Sequence, residues 1–172
     1  MAGMNFEASK EIYSSALKCL LDQRGVHAET AVAALSAVCG ESLLRASPVD
    51  ISQLPPGGEV PIAQVATIGP NMLGHLQILL DELLVDHSGD WTAKVPEEHL
   101  PLRDPLKLAH ELRPVMQELF AKYKLDAEQA AKASCMALAL IIRDCQAVLP
   151  PSVSVLIASN ALVLATKSAP VT

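Results

Sequence analysis

Histidine and cysteine are the residues of this chain best suited to metal binding or catalysis, and their spacing excludes the common local motifs. They are His27, His75, His87, His99, His110, Cys19, Cys39, Cys135 and Cys145. A di-metal helical bundle uses Glu-x-x-His pairs, because positions i and i+3 share one face of a helix. No histidine has a glutamate three positions before it, and neither His-x-x-x-His nor Cys-x-x-Cys occurs. We therefore predict no metal site and no cofactor, with a site assembled from distant elements left open.

The patterns around potential nucleophiles are incomplete. Ser42 lacks the second glycine of a nucleophile elbow and lies inside a predicted helix. Ser15 and Lys18 match Ser-x-x-Lys, but the companion motifs Ser-Asp-Asn and Lys-Thr-Gly do not occur. Residues 55–58 predict a turn, and no phosphate-binding Lys-Ser/Thr follows them. These patterns predict no catalytic residue and favour a protein that is not an enzyme. His75, beside an apolar stripe, is expected to be a hydrogen-bonded boundary residue.

Composition favours closely packed helices. Of 172 residues, 51% are hydrophobic and only 3% aromatic, so the core must consist of Ala, Leu, Val and Ile. Alanine and leucine are strong helix formers. This length suits one helical domain over residues 1–172, or two small units with a shared core. The net charge of −6 disfavours nucleic-acid binding, because affinity for the phosphate backbone comes from Lys and Arg.

The chain shows no targeting signal and no membrane segment. Residues 1–7 contain no basic start followed by an apolar run, which predicts a cytoplasmic protein. The four cysteines are then expected to be reduced, unbridged and buried as small apolar side chains. Residues 153–165 form the most apolar stretch, but it is too short for a bilayer and predicts a buried core helix.

Apolar periodicity predicts an all-α bundle of about six to seven helices. Helices are expected at residues 9–23, 28–45, 69–85, 105–123, 126–148 and 152–167, with a short helical turn or strand at 62–67. The second of these is apolar on two faces, which indicates a central position. Pro114 is expected to kink or break the fifth, because it lacks an N–H and collides with the preceding turn.

Terminal and connecting residues refine these boundaries. Ser9 and Ser152 are expected as N-caps, Asp126 with Gln129 as a capping box, and Gly25 as a left-handed residue. Residues 47–61 are rich in Pro and Gly, and residues 49–51 are expected to be extended. Residues 86–104 are the most polar segment and predict a linker, which Trp91 pins to a helical surface.

A faint internal repeat suggests two related units. Residues 25–34 align with residues 124–133 at an offset of 99, and Leu-Pro-Pro occurs at both 54–56 and 149–151. The repeat predicts a unit of helix, helix, Leu-Pro-Pro and helix at about residues 9–85 and again at about 105–167. Alanine-rich helices also match by chance, so two unrelated helical hairpins are the alternative.

Two functional interpretations follow from these features. The first is a non-enzymatic interaction or structural domain that forms a homodimer, since so apolar a chain has little polar surface to cover it. The second is a small-molecule-binding protein or enzyme with an apolar pocket between helices. Met72, Met116 and Met136 are the expected walls of that pocket, because methionine adapts to irregular surfaces.

Overall fold

Seven α-helices form the described part of the chain, residues 6–172 of a computed structural model. They are α1 (Phe6–Leu20), α2 (Ala28–Ala46), α3 (Ile62–Val65), α4 (Ile68–Glu82), α5 (Pro105–Lys122), α6 (Ala127–Cys145) and α7 (Pro151–Lys167). Short 3-10 turns occupy Ile51–Gln53 and Glu97–His99. Residues 6–172 contain isolated β-bridges but no β-strand. The predicted all-α fold is confirmed.

Helix α2 lies at the centre of the bundle, as its two apolar faces predicted. It packs most extensively against α7 and α6, and it also contacts α5, α1 and α4. Most of its length is buried, from Thr30 to Gly40 without interruption. Gly40 permits the close approach of α7, since a Cβ there would lie 2.6 Å from the carbonyl oxygen of Leu162 and 2.7 Å from Cβ of Ala165. A small residue is therefore required where α2 crosses α7.

The two alanine-rich helices begin in similar ways. Asp126 caps α6 in a capping box, accepting a hydrogen bond from the backbone N–H of Gln129 at 2.8 Å. His27 caps α2 less closely, with Nδ1 accepting from the backbone N–H of Thr30 at 3.3 Å. A left-handed residue stands two positions before each cap, Gly25 at φ +100° and Lys124 at φ +53°. The capping box and the left-handed Gly25 are confirmed.

Several predicted helix ends are wrong by a few residues. Ser9 is not an N-cap, because it is buried inside α1, which ends at Leu20 and not at residue 23. Ser152 is not an N-cap either: α7 begins at Pro151, whose fixed φ suits the first helical position. Helix α6 ends at Cys145, short of the expected residue 148. Residues 51–53 form a 3-10 turn, so the expectation that Ile51 is extended is also wrong.

Helix α5 continues through Pro114, so of the predicted kink or break the break does not occur. The proline is exposed, whereas Leu112 and Met116 on the opposite side are buried in the core. Because the ring lies on the exposed face, the carbonyl of His110 that loses its helical partner is on that face as well, since His110 is exposed. Burial of the flanking residues then holds the helix together.

The C-terminal tail pairs with the loop between α2 and α3. Val60 N–H donates to the carbonyl oxygen of Lys167 at 2.9 Å, and Ala169 N–H donates to that of Gly58 at 2.7 Å. Glu59 and Ser168 thereby form an isolated antiparallel bridge. The Pro- and Gly-rich loop is thus held against the end of α7.

The described residues include no helix that is both long enough and apolar enough to cross a bilayer. All four cysteines are free. Cys39 and Cys135 are buried as expected, but Cys19 is exposed and Cys145 is half-buried, so the expectation that all four are buried is wrong.

Candidate functional site: a groove beside the linker

A groove with a volume of about 710 Å³ separates the linker from α7 and the start of α5. We call it the linker groove. Its lining consists of residues 92–95 and 100–105 together with Ile157, Asn160, Ala161 and Leu164. Volumes of this size are typical of ligand-binding sites. The segment predicted only as a connection therefore forms one wall of a candidate site.

The floor of the linker groove is an apolar stripe of α7. Ile157, Ala161 and Leu164 follow the i, i+4, i+7 spacing that places side chains on one helical face. Ile157 and Ala161 are buried, whereas Leu164 is 42% exposed. Across the groove, Leu100 and Leu102 of the linker are 52% and 69% exposed. Large apolar side chains thus surround the groove without being covered by another element.

Charged groups of both signs lie along its rim. Lys94 is exposed and forms no ion pair within residues 6–172. Arg103 is paired with Glu111. The carboxylate of Asp104 caps α5, accepting a hydrogen bond from the N–H of Leu106 at 2.8 Å. Lys94 is therefore the lining cation that is free to meet an anionic group.

A carboxylate and two histidines attach the linker to α2. Nδ1 of His99 lies 2.9 Å from Oε1 of Glu29, and Nε2 of His27 lies 3.3 Å from the other carboxylate oxygen. Only 13% of the Glu29 side chain is exposed. The single glutamate thus hydrogen-bonds to the linker and lies within ion-pair distance of the residue that caps α2.

Thr30 provides a second attachment next to the first. The N–H of Leu102 donates to Oγ1 of Thr30 at 3.1 Å, and Oγ1 lies 2.9 Å from Nδ1 of His27. Because Nδ1 accepts from the backbone N–H of Thr30, the proton of neutral His27 is on Nε2, the nitrogen that lies 3.3 Å from Glu29. These contacts, from His99 to Leu102, hold the linker wall of the groove in position.

The charge of Glu29 is maintained by its neighbours. Burial by itself would raise the pKa of this carboxyl. Hydrogen bonds from His99 and from its own backbone, together with the proximity of both imidazoles, outweigh burial and lower the pKa below its usual 4.5. Glu29 is accordingly a carboxylate at neutral pH.

A carboxylate behind an imidazole is also the arrangement that orients general bases. No hydroxyl or thiol of residues 6–172 is hydrogen-bonded to His99. Cys19 and His27 do line one small hollow of about 170 Å³. Nδ1 of His27 accepts from the backbone of Thr30, so in the neutral ring Nε2 carries the proton, and neither nitrogen is free to take one from the thiol. The cluster therefore acts in positioning the linker.

The remaining histidines lie apart from this cluster. His87 bonds to Asp81 at 2.9 Å and meets the edge of Trp91, which packs on the core as predicted for the linker. His110 accepts from Arg113. His75 is not hydrogen-bonded as expected: its Nε2 is buried without a partner, and burial lowers its pKa. Residues 6–172 contain no group of three or more His, Cys, Asp or Glu side chains arranged to hold a metal ion.

The expectation that Met72, Met116 and Met136 form the walls of one pocket is wrong. Met72 and Met116 line two separate hollows, of about 380 and 90 Å³, and Met136 is buried in the core. The linker groove contains none of the three. The helical spacing of the floor residues could have been recognised in the sequence. No sequence pattern indicated that Glu29 and His99, 70 residues apart, would be in contact.

Comparison of this chain with known protein families, with curated proteins and with solved structures gives no match.

Proposed function

We propose that this protein is a non-enzymatic interaction domain that forms a homodimer through the linker groove. The observation that carries the proposal is the set of exposed leucines, Leu100, Leu102 and Leu164, around the buried apolar floor of α7. Exposed apolar surface around a groove is typical of protein–protein contacts. Hydrophobic association at this surface would remove these side chains from water.

A second copy is the partner that fits this surface best. Leu100, Leu102 and Leu164 are exposed and suited to an apolar contact, and a two-fold contact presents the same side chains from both copies. The linker also carries exposed charges of both signs, with Glu97 and Glu98 near Lys94 in sequence. Opposite charges from two copies can then pair around an apolar centre.

The test is the molar mass in solution, measured by light scattering during size-exclusion chromatography. We expect a dimer for the wild-type chain and at least about a tenfold weaker association for Leu102→Asp and for Leu164→Asp, because each buries an unpaired carboxylate in the contact. Ile78→Asp is the matched control, since Ile78 is 56% exposed on α4. A monomeric wild-type protein, or equal weakening by the control, would contradict the proposal.

Binding of a small amphipathic anion is a second candidate, which the volume of the groove favours. About 710 Å³ with an apolar floor and the free ammonium group of Lys94 suits an aliphatic carboxylate. A thermal-shift series of straight-chain carboxylates tests this candidate. We expect stabilisation of the wild-type chain and a smaller effect in Lys94→Gln. The absence of any shift in the wild-type chain excludes this candidate without affecting the test for dimerisation.

A further inference from the structure

Beyond that function, we infer that the chain is a fused dimer. Its first half, residues 6–85, and its second half, residues 105–172, are obligate partners that interlock around α2 and α6. The interaction surface of each half is fitted to the other half, and the covalent linker is not what holds them together. The evidence lies in where the contacts run, in how the halves correspond, and in what each half would expose alone.

The main helix contacts all join one half to the other. Helix α2 packs on α7, α6 and α5, while α6 also packs on α1 and α4. Contacts within a half, such as α1 with α2 or α6 with α7, are much smaller. The first helix of each half thus lies against the second helix of the other half, α1 on α6 and α5 on α2. Such an exchange is typical of intertwined dimers.

Polar contacts over long sequence separations follow the same pattern. Tyr13 donates to Asp144 at 2.9 Å, and Lys122 is paired with Glu11 at 2.7 Å. Arg113 makes two hydrogen bonds to the carboxylate of Glu41, at 2.8 and 3.0 Å. The backbone pairing of the C-terminal tail with residues 58–60 also joins the halves. Each of these interactions joins a residue of the first half to a residue of the second half.

The two central helices also correspond in length, in the bend before each and in two buried alanines. Helices α2 and α6 are each 19 residues long, and each begins three residues after a left-handed position. The Cβ of Lys124 makes the left-handed conformation sterically unfavourable, whereas Gly25 has no Cβ and adopts it readily. Ala31 and Ala34 of α2 are buried, as are Ala130 and Ala133 at the matching places of α6. Matched bends and matched buried alanines are the expected result of two related units facing each other.

Either half by itself would expose most of its apolar surface. Helix α2 is buried from Thr30 to Gly40 chiefly by α6, α7 and α5, which all belong to the second half. Interfaces that resemble a domain core cut in two are characteristic of obligate complexes. The hydrophobic effect, acting between halves, is therefore the main force that folds each of them.

The experiment cuts the linker of the folded protein. A protease recognition sequence is inserted into the full-length chain between Gly89 and Asp90, which are exposed, and the native protein is then cleaved. We expect the two fragments to elute together at the mass of the uncleaved protein, with unchanged helical circular dichroism. Their joint unfolding midpoint should rise more steeply with protein concentration than that of the same protein left uncleaved, because cleavage adds a second chain to the unfolding equilibrium.

The inference is overturned if the fragments separate in native buffer, if cleavage abolishes the helical signal, or if one fragment alone retains it. Ala133→Leu supplies a second variant, since Ala133 is buried on α6, which packs chiefly on helices of the first half, and leucine there overpacks the core. The fragments of cleaved Ala133→Leu should separate at a higher protein concentration than those of the cleaved parent. Equal dissociation midpoints for the two cleaved proteins would contradict the assigned interface. Because cleaved and uncleaved samples are compared, the result does not depend on whether the intact chain dimerises.

Discussion

Nδ1 of His99 lies 2.9 Å from Oε1 of Glu29, across 70 residues of sequence, and this contact joins the linker to the first turn of α2. Glu29 also lies 3.3 Å from Nε2 of His27, which caps the same helix. One half-buried carboxylate therefore lies beside both the cap of the central helix and the wall of the linker groove.

Acid should weaken the fold partly through Glu29. Its folded-state pKa lies below 4.5, so its stabilising effect is complete above the unfolded value and is lost as pH falls through the folded value. Glu29→Gln should cost about 1–3 kcal/mol at pH 7, since it removes a charged hydrogen-bond acceptor. Urea unfolding from pH 6 to pH 3 should show this difference shrinking towards acid. A difference that stays constant over that range would contradict the assignment.

Two glycines should respond to alanine in opposite directions. Gly40→Ala places a Cβ 2.6 Å from the carbonyl oxygen of Leu162, and forcing α7 away should cost about 1–3 kcal/mol. Gly74 lies inside α4, and a Cβ there meets no atom within 4 Å. Gly74→Ala should therefore stabilise the protein by about 0.5–1 kcal/mol through helix propensity. Thermal unfolding measures both, and effects of the same sign would refute the close-approach argument.

Arg113 should control the attachment of the C-terminal tail. Its guanidinium binds Glu41 through two nitrogens and donates to the carbonyl oxygen of Val171 at 2.9 Å, with 18% of the side chain exposed. Arg113→Lys keeps the charge but loses the planar fork, and should cost about 1–2 kcal/mol. Amide exchange at Ala169, whose N–H bonds to Gly58, should accelerate. Unchanged exchange there would show that the tail is held by other contacts.

The buried alanines of the central helices should be intolerant of enlargement. Ala34→Leu and Ala133→Leu should each cost about 1–3 kcal/mol and by similar amounts, because both insert methylenes into the packed centre. Ala121→Leu is the control, since Ala121 is exposed on α5 and should change stability by less than about 0.5 kcal/mol. Chemical denaturation of the three variants measures these changes in the free energy of unfolding. Tolerance of leucine at either buried site would argue against related units.

The amino-acid sequence by itself determined the helical class, the central position of α2 and the capping box of α6. These features depend on local periodicity and on hydrogen bonds between residues three or four apart, which the order of residues specifies directly. Helix ends were less accurate where burial overrode a local signal. Ser9 has the side chain of an N-cap but is buried inside α1, and Pro114 is accommodated because it faces solvent.

Only the tertiary structure decided which distant residues meet. Glu29 is an ordinary first-turn acid in the sequence, and its contact with His99 exists because the linker folds back over the start of α2. The linker groove likewise depends on how α7 and residues 92–105 are placed around the core, which no local pattern encodes. Long-range packing is settled by the joint burial of apolar faces from several elements, so each partner is defined only once the others are in place.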